Sequence, residues 1–166
     1  MRVLQIVNGE LTPAHYRQKH IHRARIISEL TALAEGYKGT GWKVTCPIEA
    51  FHRTKNEFTF VLLESGGIMA VSSQVPWFAE QHVLCEEWIG AGVTTQEAID
   101  TMKLMAKVMG FKRYEVGTRA APGQKHEAAA RLYQRQGLRL STISLEGVVN
   151  DEQEDFTEGD GSAQAT

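Results

Sequence analysis

The side chains best suited to moving protons lie in two short stretches of this 166-residue chain. The stretch "CEEW", residues 85–88, carries the carboxylates Glu86 and Glu87, and "HEAAARLYQRQGLRL", residues 126–140, carries Tyr133. A phenol with a pKa of about 10 is protonated at neutral pH and can donate a proton, whereas an ionised carboxylate can accept one. The chain therefore has one candidate acid and two candidate bases, which the fold must bring together if they act as a set.

The two glutamates stand on a predicted strand, residues 81–88, on which successive side chains face opposite sides. Only one of them can therefore face a given cleft. Glu86 alternates with His82 and Trp88, so its face holds a second titratable group. We favour Glu86 for this reason and keep Glu87 as the other candidate. A paired or solvent-facing charge is the alternative interpretation for either carboxylate.

Tyr133 stands near the end of the predicted last helix, which starts near His126. Ala129 and Leu132 share one helical face with Tyr133, and this face is expected to turn towards the sheet. Gly137 is predicted to end the helix in a left-handed conformation. The alternative interpretation is that Tyr133 only packs there, with its hydroxyl in water.

Hydrophobic periodicity and turn residues place the other elements of the chain. The predicted strands are 2–7, the two arms of a hairpin around Gly66-Gly67, 81–88, 113–118, and one or two strands within 138–149. The predicted helices run from Thr12-Pro13 to Gly36, from Pro47 through His52, from Thr94 or Thr95 to Gly110, and through the stretch that carries Tyr133.

Two of these elements carry specific expectations. The first helix should begin with Thr12 as N-cap and Pro13 as its first residue. Its buried stripe should be Ile21, Ala24, Ile27, Leu30 and Leu33. The pair Gly66-Gly67 is suited to a type I′ hairpin turn.

The resulting order, β-α-(α)-β-β-β-α-β-α-β, predicts the fold class. Three antiparallel strands are followed by a βαβ crossover and one more helix. This order is typical of an α/β fold (an α+β mixed sheet), in which helices flank both faces of a central mixed antiparallel and parallel sheet.

Composition and charge predict one globular domain followed by a tail. Residues 1–149 have 18 basic and 14 acidic side chains, whereas residues 150–166 have six acidic and no basic ones. We expect this acidic tail to be disordered. The chain has no apolar run of the ~18 residues that a membrane span needs and no recognisable signal peptide. Its two cysteines have no metal-binding or redox spacing. A cytoplasmic protein without a metal is the expectation.

The helix that carries Tyr133 resembles one in the GCN5-related N-acetyltransferase (GNAT) superfamily. Members often show Asn-x-x-Ala-x-x-Leu-Tyr-x-x-x-Gly-Phe at this place. The corresponding residues here are His126, Ala129, Leu132, Tyr133, Gly137 and Leu138. The spacing matches at every position, with His in place of Asn and Leu in place of Phe. The resemblance extends over roughly residues 2–149 in the order of the elements.

A second, partial resemblance concerns the loop after the strand that carries the two glutamates. The family's diphosphate-binding loop has the pattern Gln/Arg-x-x-Gly-x-Gly/Ala, and here Ile89, Gly92 and Thr94 fall at the defined positions. Only the central glycine agrees. Free N–H groups and the dipole at a strand-loop-helix junction still favour an anion. The coenzyme-binding residues that the resemblance implies are Trp88, Ile89, Gly90, Ala91, Gly92, Val93, Thr94, Thr95, His126 and Ala129.

The resemblance implies an acyl-CoA-dependent N-acyltransferase that moves an acetyl group from acetyl-CoA to an amine by direct attack. Tyr133 would be the general acid, and Glu86 or Glu87 the base. The coenzyme would lie where strand 81–88 separates from strand 113–118. The acceptor could be a small molecule or a protein amine, and the protein could be a homodimer.

Two other functions remain open. One is a catalytically degenerate protein-binding module, which the departures at Ile89 and Thr94 motivate. The other is a nucleic-acid-modifying enzyme of the same fold, which the basic first helix motivates and the acidic tail counts against.

Overall fold

The computed structural model describes residues 1–37, 44–117 and 126–140, which contain a six-stranded sheet. The strands are β1 (Arg2–Val7), β2 (Glu10–Pro13), β3 (Thr59–Leu62), β4 (Ile68–Gln74), β5 (Val83–Ile89) and β6 (Tyr114–Glu115). Their order in the sheet is β2-β1-β3-β4-β5-β6. The pairs β1–β3 and β5–β6 are parallel, and the other neighbours are antiparallel. The predicted mixed sheet is confirmed.

Four α-helices cover the sheet within the described residues: α1 (Lys19–Gly36), α2 (Pro47–Thr54), α3 (Thr95–Met109) and α4 (His126–Arg135). One core cluster joins α3 to one face of the sheet, with Met102 and Met105 packed against Val61 and Met69. The other cluster joins α1 and α2 to the opposite face, with Ile26, Leu30 and Phe51 packed around Phe60. Each fully buried apolar side chain stabilises the fold by about 1.5–3 kcal/mol. The predicted flanking of both faces by helices is confirmed.

Local capping signals place both ends of α3 and the start of α2 correctly. Thr94 is the N-cap of α3, where its Oγ1 accepts the Glu97 N–H at 3.2 Å. Gly110 ends α3 with a left-handed φ of 80°. Pro47 opens α2, where the missing N–H costs nothing because the first helical N–H groups have no partner within the helix.

The prediction that a helix begins at Thr12-Pro13 is wrong. Asn8 and Gly9 both have positive φ, 51° and 75°, and lie between the paired residues Val7 and Glu10. They form a two-residue hairpin loop of the type I′ class, which requires positive φ at both positions. The following residues are the edge strand β2, where Pro13 is tolerated because an outward-facing backbone group needs no partner.

Helix α1 consequently starts at Lys19, and its buried face differs from the predicted stripe. The buried residues are His22, Ile26 and Leu30, whereas Ile21 and Leu33 are 47% and 39% exposed. Only Leu30 belongs to both sets. The packing surface offered by α2 and the sheet, rather than the count of apolar residues, selects the face.

The type I′ turn predicted at Gly66-Gly67 is also wrong. Leu63 N–H donates to the Gly67 carbonyl at 2.9 Å, and Gly66 N–H donates to the Leu63 carbonyl at 3.0 Å. The loop therefore has three residues, 64–66, and only Gly66 has a positive φ, at 89°. Gly67 serves close packing instead, because a Cβ there would clash with the side chain of Val93.

The predicted strand 113–118 is reduced to Tyr114–Glu115. No regular structure follows α4 over residues 138–140. The predicted turn at 121–123, the final strands beyond residue 140 and the acidic tail lie outside the described residues. None of the described helices has the length and apolar character needed to cross a bilayer.

His22 provides a test of how α1 packs. It is 5% exposed, and neither ring nitrogen has a hydrogen-bond partner in the described part of the chain. Burial lowers the pKa of His22, and the charges of Arg25 and His20 lower it further. We expect His22→Leu to raise the free energy of unfolding at pH 8 by about 1–3 kcal/mol, because it removes unsatisfied buried polar groups.

The pH dependence has a defined sign. The unfolded chain takes up a proton at His22 at higher pH than the folded chain, so the folded protein loses stability as the pH falls below about 6.5. The free energy of unfolding, measured with urea, should fall less between pH 8 and pH 5.5 in His22→Leu than in the unmodified protein. The exposed His52 on α2, whose charge does not act on His22, supplies the control, His52→Gln. If the free energy of unfolding had the same pH dependence in all three proteins, burial of His22 would not be the cause of the loss of stability.

Candidate active site

Strands β5 and β6 pair over only two residues and then separate. Leu84 is opposite Tyr114, and Cys85 is opposite Glu115. Beyond this point the N–H of Gly117 donates to the Glu86 carboxylate at 2.9 Å rather than to the backbone of β5. The remainder of β5 therefore faces a gap in the sheet, and the Glu86 side chain bridges it.

A β-bulge in β5 sets the directions of the two glutamates. Val71 is opposite Glu86 and Ala70 is opposite Trp88, which leaves Glu87 as the extra residue. Glu86 shares the α3 face with Val71. Glu87 lies on the α1/α2 face, where it accepts hydrogen bonds from the Ser72 hydroxyl and from Gln74 Nε2. The two carboxylates face opposite sides of the sheet.

The bulge also changes the grouping predicted for this strand. Trp88 packs against Phe60 on the α1/α2 face, at 6.3 Å between ring centroids, and does not share the face of Glu86. His82 precedes β5 and contacts Ser73 Oγ through Nδ1 at 2.8 Å. Four residues along a strand span about 13 Å. At this distance His82 does not contact Glu86, and of the residues predicted to share the face of Glu86, Trp88 is the one that lies on the opposite face.

Tyr133 lies within electrostatic range of Glu86. Burial raises the pKa of Tyr133, and the negative charge of Glu86 raises it further. Both causes keep the phenol protonated at neutral pH, so that it can donate a proton. Glu87, on the other face, does not contribute to this shift.

The end of α4 holds Tyr133 in place. The N–H of Leu138 donates to the Tyr133 carbonyl at 3.2 Å, and the N–H of Gly137 donates to the Gln134 carbonyl at 2.9 Å. These two bonds, with φ of 87° at Gly137, are those of a Schellman motif. The left-handed conformation predicted for Gly137 is confirmed.

The other predicted residues of α4 have mixed outcomes. Ala129 is half-buried, but Leu132 is 47% exposed. Leu132 therefore does not face the sheet as predicted, because it lies away from the half-buried side of the helix. His126 is the first residue of α4, and its side chain lies outside the described part of the chain.

Cys85 is a poor nucleophile in this setting. Burial raises the pKa of its thiol to about 11, with further contributions from the charges of Glu115 and Glu87. At neutral pH the group is a thiol rather than the reactive thiolate. The Cys85 thiol is thus unsuited to forming a covalent acyl-enzyme.

The loop between β5 and α3, residues 90–94, forms what we call the amide loop. Gly92 has a positive φ of 84°, and Thr94 is engaged in capping α3. The N–H groups of Thr95 and Gln96, in the first turn of α3, have no acceptor within the helix. Together with the helix dipole they favour an anion at this end of β5. Ile89, which stands where the family has Gln or Arg, packs against the core instead.

Sequence reasoning missed the two α1 residues that border the amide loop. The N–H of Ala91 donates to the Glu29 carboxylate at 3.1 Å. Arg25, one turn earlier, donates through Nη2 to the carbonyl of Gly66 at 2.6 Å. The helical spacing of Arg25 and Glu29 predicts a shared face, but no motif links α1 to a loop 62 residues away. Gly117, which binds Glu86, was missed for the same reason.

Two cavities lie away from these residues. One of about 440 Å³ is lined by Ser73, His82 and Lys112 among others, at the N-terminal end of β5. Another, of about 470 Å³, lies between Arg2 and Val108. Neither contains Glu86, Tyr133 or a residue of the amide loop, and the hydrogen-bonding and charge contacts above are the stronger basis for a site. No cluster of three His, Cys, Asp or Glu side chains suited to a metal occurs among the described residues.

Comparisons with known proteins add little. No family model and no curated protein matches the chain. Among solved structures, it aligns with the crystal structure of a probable acetyltransferase at 14% sequence identity. The alignment covers 84% of this chain and 97% of the other, with a TM-score of 0.48. So distant a likeness carries no argument about function, which has to come from the geometry of the site.

The pairing of Glu86 with Tyr133 can be tested by titration. Glu86→Gln removes a charge that raises the pKa of Tyr133, so the phenol should titrate at lower pH. Glu87→Gln is the matched control, since Glu87 does not act on Tyr133. The tyrosinate absorbance, measured as the difference from the corresponding Tyr133→Phe protein, reports this titration. A shift of equal size in both glutamine variants would contradict the placement of Glu86.

The state of Cys85 can be tested by alkylation in a Cys46→Ser background. With a pKa of about 11, the thiolate fraction should rise about tenfold per pH unit. The rate of iodoacetamide labelling should therefore rise without levelling between pH 7.5 and 9.5. Glu87→Gln should accelerate labelling because it removes one of the negative charges that raise the pKa of the thiol. A rate that levels off below pH 9 would show that the thiol is not shielded as described.

Proposed function

We propose that the chain is a coenzyme A-dependent N-acyltransferase of the GNAT type, which transfers an acetyl group from acetyl-CoA to an amine. The observation that carries the proposal is that the charge of Glu86, which accepts the N–H of Gly117, also acts on the phenol of Tyr133. The candidate proton donor and carboxylate are thus electrostatically coupled, and the amide loop follows the strand that carries Glu86.

The residues present fit this coenzyme in two respects. The open edge of β5, around Trp88 and Ile89, can hydrogen-bond an extended chain of amides, as an added strand would. The amide loop and the first turn of α3 can bind a diphosphate through backbone N–H groups. One N–H of the loop, that of Ala91, has a carboxylate oxygen of Glu29 as its acceptor, and a phosphate oxygen is an acceptor of the same kind.

Bound acetyl-CoA would supply an acetyl group activated as a thioester. The tasks left to the protein are to hold this group in the gap, to accept a proton from the attacking amine and to return a proton to the departing sulfur. The phenol of Tyr133 is the donor for the sulfur, since its raised pKa keeps it protonated.

Glu86 is the stronger of the two candidate bases. It faces the gap together with Tyr133, whereas Glu87 is held on the opposite face by Ser72 and Gln74. Glu86 could accept the amine proton directly or through a water molecule. Glu87 could act only on a substrate that approaches from the α1/α2 face. The acceptor is an amine of a small molecule or a protein, in a cytoplasmic setting.

The alternative is a degenerate module that binds a protein and no coenzyme. Two observations favour it: Ile89 is packed in the core, and the Glu29 carboxylate already binds the amide loop. Calorimetry with acetyl-CoA and with CoA separates the two functions. Absence of heat and of any thermal shift at millimolar ligand would eliminate the acyltransferase.

Tyr133→Phe tests the role of the phenol. Loss of a general acid typically lowers turnover by about 10²–10⁴-fold. We expect kcat to fall in this range while acetyl-CoA affinity stays within about twofold, because the ring is retained. Release of the CoA thiol can be followed with spermidine, with a lysine peptide and with a peptide bearing a free N-terminus as acceptors.

Tyr114→Phe is the control, since Tyr114 is a half-buried phenol on β6 that the proposal does not use. Unchanged kcat in Tyr133→Phe would remove Tyr133 from the mechanism. A loss of coenzyme affinity instead of turnover would make it a packing residue.

A further inference from the structure

A carboxylate from α1 occupies part of the amide loop. The bond from Ala91 N–H to Glu29 Oε2, at 3.1 Å, connects residues 62 positions apart in the chain. Glu29 is half-buried at this contact. Ala91 lies three residues before Thr94, the N-cap of α3, so the Glu29 carboxylate binds the loop that leads into the anion-favouring first turn of this helix.

Gly90 makes this approach possible. A Cβ at Gly90 would lie 2.8 Å from Glu29 Oε2 and 2.8 Å from the carbonyl oxygen of Ile68. The φ of Gly90 is not in the left-handed region, so the backbone conformation does not demand glycine here. Close contact with the sheet and with Glu29 is what the missing side chain permits.

The charged side chains around the amide loop are negative. From Ile89 to Thr101 the sequence has no Lys or Arg, and Glu97 lies in the first turn of α3. Glu29 adds another negative charge next to the N–H groups. A diphosphate would meet the attraction of the backbone dipoles and the repulsion of this carboxylate at the same place.

We propose that Glu29 is an internal competitor of the diphosphate, which lowers the affinity of the amide loop for acetyl-CoA until the carboxylate leaves Ala91. The inference rests on the proposed function in taking the diphosphate to be that of the coenzyme. Arg25 stands one turn before Glu29 on α1, near enough to receive the released carboxylate. Glu29 is thus a residue that sets affinity, not one that takes part in the chemistry.

The test compares Glu29→Gln with the unmodified protein by calorimetry at low ionic strength. Glutamine keeps an oxygen that can accept the Ala91 N–H but has no charge. We expect inorganic pyrophosphate and acetyl-CoA to bind about tenfold more tightly to Glu29→Gln, an advantage that shrinks as salt is added. S-acetylpantetheine, which has no diphosphate, should bind both proteins equally.

Glu57→Gln is the matched control. It makes the same change of charge at an exposed position before β3, at the opposite end of that strand from Gly66. It should bind all three ligands as the unmodified protein does. A similar gain in pyrophosphate affinity in Glu57→Gln would show that the effect comes from net charge alone, and it would overturn the inference.

The outcomes separate this inference from the proposed function. Pyrophosphate binding to Glu29→Gln that is equal or weaker would show that Glu29 only holds the loop, and would overturn the inference even if acetyl-CoA binds well. Tighter pyrophosphate binding by Glu29→Gln, with no acetyl-CoA binding by any variant, would refute the proposed function and leave only the competition between Glu29 and a diphosphate standing.

Discussion

The structure around the candidate site depends on one constraint: β5 is hydrogen-bonded to β4 along its length but to β6 over only two residues. Backbone groups at an unpaired strand edge need other partners. Here a side chain meets part of that need, since Glu86 accepts the N–H of Gly117 across the gap. Within the described residues the two strands therefore separate after Cys85 and Glu115, and the charge of Glu86 at this point also acts on Tyr133 of α4.

The bulge at Glu87 gives adjacent carboxylates different roles. Without the extra residue, strict alternation would put Trp88 on the face of Glu86, where it would compete for the gap. The bulge returns Trp88 to the α1/α2 face, where its ring packs on Phe60. Glu87 is hydrogen-bonded to Ser72 and Gln74 on that same face. Its charge and that of Glu115 add to the effect of burial, which raises the pKa of the Cys85 thiol. One insertion thus separates a proton-transfer face from a structural polar cluster.

Local rules in the sequence predicted the features that depend on a few neighbouring residues. The caps at Thr94, Gly110 and Gly137 follow from side-chain and backbone chemistry within one turn of helix. The mixed sheet followed from the order of element types along the chain. The Asn8-Gly9 hairpin was also readable locally, but Thr12-Pro13 satisfies the rule for a helix start equally well. Only the pairing of β2 with β1 decides between these two interpretations.

Features that depend on distant contacts could not be predicted from the sequence. The face of α1 that is buried depends on α2 and β3, which follow it in the chain. The bulge at Glu87 depends on the register with β4, and the electrostatics of the amide loop depends on α1. Judged by the sequence pattern alone, the loop lacks its polar or cationic side chain, because Ile89 stands where the pattern has Gln or Arg. In the fold, Ile89 contributes to the core, and the charges at the loop come from Arg25 and Glu29 on a separate helix. The anion affinity of such a loop is therefore a property of the tertiary structure, and comparing loop sequences alone misjudges it in either direction.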